Sequence, residues 1–78
     1  MFKMSFYDGT HDREKAKEFV ETTEKPLYYR YGFAYRGAEA RPISLDSALF
    51  VIKEECYLDI DEYEDKVILN TYSSNDMW

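Results

Sequence analysis

The chain is nearly devoid of cysteine and histidine, with Cys56 and His11 the only ones in 78 residues. A lone cysteine excludes an intramolecular disulfide. With a single histidine beside it, a Cys/His zinc site is excluded too. Small secreted domains usually carry several bridges, so the expected compartment is cytoplasmic. Cys56 stands between Glu55 and Tyr57 with no base beside it, and reads as a small apolar strand residue. No apolar stretch approaches the ~20 residues of a membrane span. Residues 1–6, with Asp8 following, are too few and too polar for a signal peptide. There is no nucleophile elbow, no Gly-rich phosphate loop and no pair of metal ligands. A non-enzymatic protein without cofactor is therefore expected. His11 reads as an exposed residue in the first turn of a charged helix.

Basic residues are scarce in the second half. Residues 1–41 hold 8 Lys/Arg and 7 Asp/Glu, while residues 42–78 hold 2 and 9, so the net −6 is carried by the C-terminal half. From Glu54 to Asp65 there are seven acids and no base. Such a surface repels phosphate, which disfavours nucleic acid as a partner.

The aromatic content runs the other way, at 18%, with eight tyrosines. Tyrosine joins an apolar face to a polar tip and suits half-buried surfaces and interfaces. Tyr29, Tyr31, Phe33 and Tyr35 recur at every second position, the side-chain period of a strand, with Arg30 and Arg36 on the other face. The stripe reads first as core. Its alternatives are a contact platform or a base-stacking surface for single-stranded nucleic acid.

The rest of the chain divides at its few glycines and prolines. Phe2 to Tyr7 alternates weakly as a first strand, and Asp8-Gly9 marks a turn. Thr10 is a plausible N-cap for a helix over 11–21, whose apolar residues Ala16, Phe19 and Val20 form a narrow stripe. Pro26 blocks its continuation. Leu27 to Arg36 is the aromatic strand, with a bulge or close approach expected at Gly32. Gly37 to Pro42 reads as a loop. Ser44 caps a second helix over about 45–54, on which Leu45, Ala48, Leu49 and Ile52 share a face that Phe50 and Val51 widen. This helix is expected to be the more buried. Cys56, Leu58 and Ile60 alternate against Tyr57, Asp59 and Asp61 as a strand with one wet face. Glu62 to Asp65 is the turn, and Lys66 to Tyr72 the returning strand of a hairpin. The order β-α-β-α-β-β predicts one α+β domain over residues 1–78: a small, mainly antiparallel sheet with two helices on one face.

The acidic run admits two chemical readings. A Ca²⁺ loop started at Asp59 needs Gly sixth and Glu twelfth, where the chain has Glu64 and Asn70, so that motif fails. Carboxylates on a rigid hairpin suit a protein rich in Lys and Arg, such as one that grips nucleic acid. The candidate partner-binding set is Asp59, Asp61, Glu62, Tyr63, Glu64 and Asp65, with Tyr57, Tyr72 and Trp78. Trp78 is large enough to favour docking onto the sheet or another chain. The alternatives are a self-associating structural module, paired through an open sheet face or edge, and a single-strand nucleic-acid binder.

The runs at residues 31–37, 59–65 and 70–78 resemble a pattern in short proteins of Gram-positive bacteria and their phages. In size and acidity the chain is also similar to anti-defence inhibitors of the anti-CRISPR type. That likeness implies an inhibitor of a host protein and assigns no site residue.

Overall fold

The computed structural model describes residues 2–6, 13–32, 39–55 and 57–71. Five strands and two helices follow in the order β1 (Lys3–Phe6), α1 (Arg13–Thr22), β2 (Leu27–Tyr31), β3 (Arg41–Pro42), α2 (Leu45–Glu54), β4 (Leu58–Glu62) and β5 (Val67–Thr71). They build an α+β fold with a mixed sheet in the order β1-β4-β5-β2-β3. Two features depart from the sequence reading. The presumed loop before Ile43 contributes a two-residue strand, which extends the sheet beyond β2. And β2 lies parallel to β5, while β1–β4, β4–β5 and β2–β3 are antiparallel.

The parallel pair is forced by the connections. The pairings make β1 and β2 point the same way, joined across the sheet by α1. The β4–β5 hairpin sits between them, and its own strands must be antiparallel. An antiparallel pair between two parallel strands leaves one junction parallel, and it falls at β5–β2. The second crossover, β3–α2–β4, runs back across the sheet in the opposite sense. A common hand therefore puts both helices on one face.

That face holds the core. Ala16 and Val20 of α1 and Ala48 and Ile52 of α2 cluster with Leu58, Ile60, Val67 and Leu69. The i, i+4 spacing on each helix and the i, i+2 spacing on each strand supply the pattern. Phe2 and Phe19 stack at 4.0 Å between ring centroids, with planes 4° apart, closing the β1 side of the core. The continuous Val67-Ile68-Leu69 run belongs to a central strand that is buried along its whole length, as its lack of alternation implies.

Helix ends are held as the sequence suggests, with one addition. Ser44 caps α2, its side chain accepting from the Ser47 N–H at 3.2 Å. At the other end the Arg13 guanidinium, from the start of α1, reaches the carbonyls of Ile52, Lys53 (3.0 Å) and Glu55 (3.2 Å). A cation there meets unpaired carbonyls and the negative end of the helix dipole. Gly32 ends β2 with φ +88°, its N–H donating to Thr71 at 2.8 Å. A Cβ on Gly32 would meet nothing among the described residues, and the requirement seen there is conformational.

Three sequence expectations change. The first strand covers Lys3–Phe6, and β4 begins at Leu58 and still contains Glu62, so the hairpin turn starts at Tyr63. On α2, Leu45 is 41% and Phe50 64% exposed, so this helix is not the more deeply buried one. At about 100° per residue, Phe50 lies about 200° round from Ala48 and points away from the core. Expectations at Tyr7, Asp8, Gly9, Thr10, His11, Phe33, Tyr35, Arg36, Gly37 and Cys56 lie outside the described residues.

Arg13→Met should lower the unfolding free energy by about 2 kcal/mol, because it removes charged hydrogen bonds at the α2 C-terminus. Lys53→Met, on the exposed side of the same turn, should change it by less than about 0.5 kcal/mol. Urea denaturation distinguishes the two.

Candidate protein-binding corner

The acidic strand β4 sorts its carboxylates by alternation. Leu58 and Ile60 face the helices, so Asp59 and Asp61 face the opposite side of the sheet, beside Ser5 and Lys3 of β1 and Asn70 and Ile68 of β5. Glu62 is on the helix side, at the strand's end. There it accepts from the Phe2 N–H at 2.9 Å through one oxygen and from Lys25 Nζ at 2.7 Å through the other. Its own N–H donates to the Phe2 carbonyl at 2.9 Å. Lys25 also donates to the Tyr63 carbonyl at 2.8 Å, and the Tyr63 N–H donates to the Lys66 carbonyl at 2.8 Å. One carboxylate thus ties the N-terminal strand, the α1–β2 connection and the hairpin turn together. The Lys25 hydrogen bond, then the Phe2 N–H, hold the Glu62 carboxyl below its ordinary pKa.

This staple leaves a hollow of about 280 Å³ lined by Phe2, Lys3, Asp61, Glu62 and Tyr63. Tyr63 is 42% exposed, and Glu64 and Asp65 beyond it are exposed. Neither Glu64 nor Asp65 forms an ion pair among the described residues. Lys3 approaches Asp61 at 3.7 Å from an exposed position, and such a pair contributes ~0–1 kcal/mol and yields easily to a competitor. The corner therefore offers carboxylates and a tyrosine ring on a turn whose backbone is already fixed. It suits a cationic side chain. No group of three His, Cys, Asp or Glu among the described residues is placed to hold a metal ion.

Asp59 behaves differently. It shares a row with Ser5, Asn70 and Arg30. Burial pushes its pKa up. The Ser5 hydrogen bond opposes that shift, Asp61 adds to it, and Lys3 and Arg30 offset it in part. Its Oδ1 is buried without a hydrogen-bond partner among the described residues. The Arg30 guanidinium is engaged elsewhere: its Nε donates to Asn70 Oδ1, and Asn70 Nδ2 donates to the Gly32 carbonyl at 2.9 Å. Asp59 is a costly half-buried carboxylate, set apart from the corner.

Of the nine residues in the candidate set, the structure gathers Asp61, Glu62 and Tyr63 around the hollow, with Glu64 and Asp65 next to it in the turn. Tyr57 is half-buried at the opposite end of β4, and Tyr72 and Trp78 lie outside the described residues. Sequence reasoning missed Phe2, Lys3 and Lys25. No local pattern marks them, because Phe2 and Glu62 are 60 residues apart in the chain. Of the aromatic stripe, Tyr29 packs against the core and its hydroxyl meets Thr71 Oγ1 at 2.6 Å, while Tyr31 at the strand's end is exposed. No protein-family model, curated protein or solved structure matches the chain.

The two shifted carboxylates predict opposite pH behaviour. Glu62, with its pKa lowered on folding, stabilises above the ordinary glutamate range and loses that contribution as pH falls through its lowered value. Asp59, with its pKa raised, takes stability away as pH rises from the ordinary aspartate range through its raised value. Glu62→Gln should lower the thermal midpoint at pH 7, and Asp59→Asn should raise it. In each variant the difference from wild type should disappear at the pH where the replaced group is protonated in both states. Thermal melts across the acidic range check both signs.

Proposed function

We propose that the chain is a non-enzymatic protein-binding module, in which the corner at Asp61, Glu62 and Tyr63 and the adjoining Glu64 and Asp65 receive Lys or Arg side chains of a basic partner. The observation that carries this reading is the stapled turn. Glu62 and Lys25 satisfy one another and fix the backbone, while Glu64 and Asp65 are left exposed without ion pairs among the described residues. A preorganised turn spends little conformational entropy on binding, and its acids accept Arg in forked geometry. A hollow beside an exposed tyrosine adds an apolar wall for the stem of a Lys or Arg.

A partner that normally holds nucleic acid is the natural class, since its cleft concentrates Lys and Arg. The likeness in acidity and size to anti-defence inhibitors favours a phage-encoded inhibitor of such a host protein, of the anti-CRISPR or anti-restriction type. The inward packing of Tyr29 supports a protein partner over base stacking on the aromatic stripe.

Charge reversal tests the reading. Asp61→Lys, Glu64→Lys and Asp65→Lys together should leave the circular dichroism spectrum unchanged. The immobilised wild-type chain should retain basic nucleic-acid-handling proteins from a host lysate at low salt, and the triple variant should lose them at least tenfold, about 1.4 kcal/mol. Equal retention by the folded variant would show that the corner is not the contact.

A further inference from the structure

We propose a second binding surface, on the helix layer, that takes a short protein segment in which an aromatic or long aliphatic residue is flanked by Lys or Arg. Phe50 stands as a ridge between two clefts. The cleft between α1 and α2, about 540 Å³, has Lys17 and Lys53 as well as Glu14 and Asp46 on its rim. The cleft on the other side of α2, about 490 Å³, has an apolar lining of Tyr29, Ile43, Phe50 and Val51. Its only charged lining residues among the described ones are Asp46 and Glu55.

Charge decides the occupant. Among the described residues the second cleft pairs an apolar floor with two carboxylates and no lining base, which matches an apolar anchor next to a cation. A second copy of the chain would bring a net −6 toward those carboxylates, and an acidic segment would meet the same repulsion. The ridge fits the usual chemistry of a contact centre: a large aromatic side chain, 64% exposed, beside a hollow of the volume that takes side chains or small ligands. The helix wheel shows that Phe50 adds nothing to the core, so its replacement leaves the fold intact.

The surface is separate from the hairpin corner, so each can fail alone. The test is an amide chemical-shift titration of the full chain with two capped tetrapeptides, one alternating arginine and phenylalanine, the other glutamate and phenylalanine. The basic peptide should shift Ser47, Phe50 and Val51 saturably in the millimolar range at low salt, and the acidic peptide should bind at least tenfold more weakly. Phe50→Ser and, separately, Asp46→Asn with Glu55→Gln should each weaken the basic peptide at least tenfold with an unchanged circular dichroism spectrum. Glu64→Lys with Asp65→Lys should leave it unaffected. Three results would overturn the proposal: no saturable shift, equal binding of the two peptides, or shifts centred on Tyr63 instead of Phe50. The last would place the basic peptide in the hairpin corner.

Discussion

The sheet depends on β5. It is buried from Val67 to Thr71, it carries one antiparallel and one parallel ladder, and every helix that packs on the sheet packs over it or its neighbours. Its place follows from the two crossovers. Once α1 joins two parallel strands at a distance, the hairpin has to fill the gap, and its second strand has to run parallel to β2. The apolar Val67-Ile68-Leu69 run fits that position because the side chains it sends to either face are buried. A half-polar strand would bury groups without partners. Asn70 and Thr71 are the polar exceptions: Asn70 is satisfied by Arg30 and the Gly32 carbonyl, and Thr71 by the Tyr29 hydroxyl.

Around that strand the acids of β4 and of the turn after it have three different fates. Glu62 is structural: Lys25 and Phe2 use it to bind the turn to the N-terminal strand. Asp59 costs stability, with one oxygen buried and unpartnered among the described residues. Glu64 and Asp65 are exposed and free of ion pairs among the described residues. A run that is uniform in composition is thus split by the period of the strand and by which cations reach it. Exposed acids on a fixed turn are suited to steering a basic partner, since interactions at that distance act through water and raise the rate of encounter.

Much of the fold was legible along the chain. Ser44, the Ala48–Ile52 spacing and the Leu58/Ile60 alternation place α2 and β4, because caps and periodicity are local. Ala16 and Val20 were legible for the same reason. Phe50 departs from its expected place because apolar character alone does not put a residue on the buried face of a helix, and its angle from Ala48 puts it on the other side. The hairpin corner was half legible. Asp61, Glu62 and Tyr63 are consecutive and acidic-aromatic, but the lysine that fastens them comes from a distant connection.

The sequence by itself determined both helices and four of the five strands, the location of the charge and the absence of catalytic motifs, because each of these depends on neighbours along the chain. Tertiary structure alone decided that β2 and β5 are parallel, that Glu62 is a staple while Asp59 is a cost, and that Phe50 stands between two clefts. These outcomes rest on contacts between residues dozens of positions apart, such as Phe2 with Glu62 and Arg13 with the end of α2. Strand order and the cations within reach of each carboxylate set those contacts, and neither is written in any local run of residues.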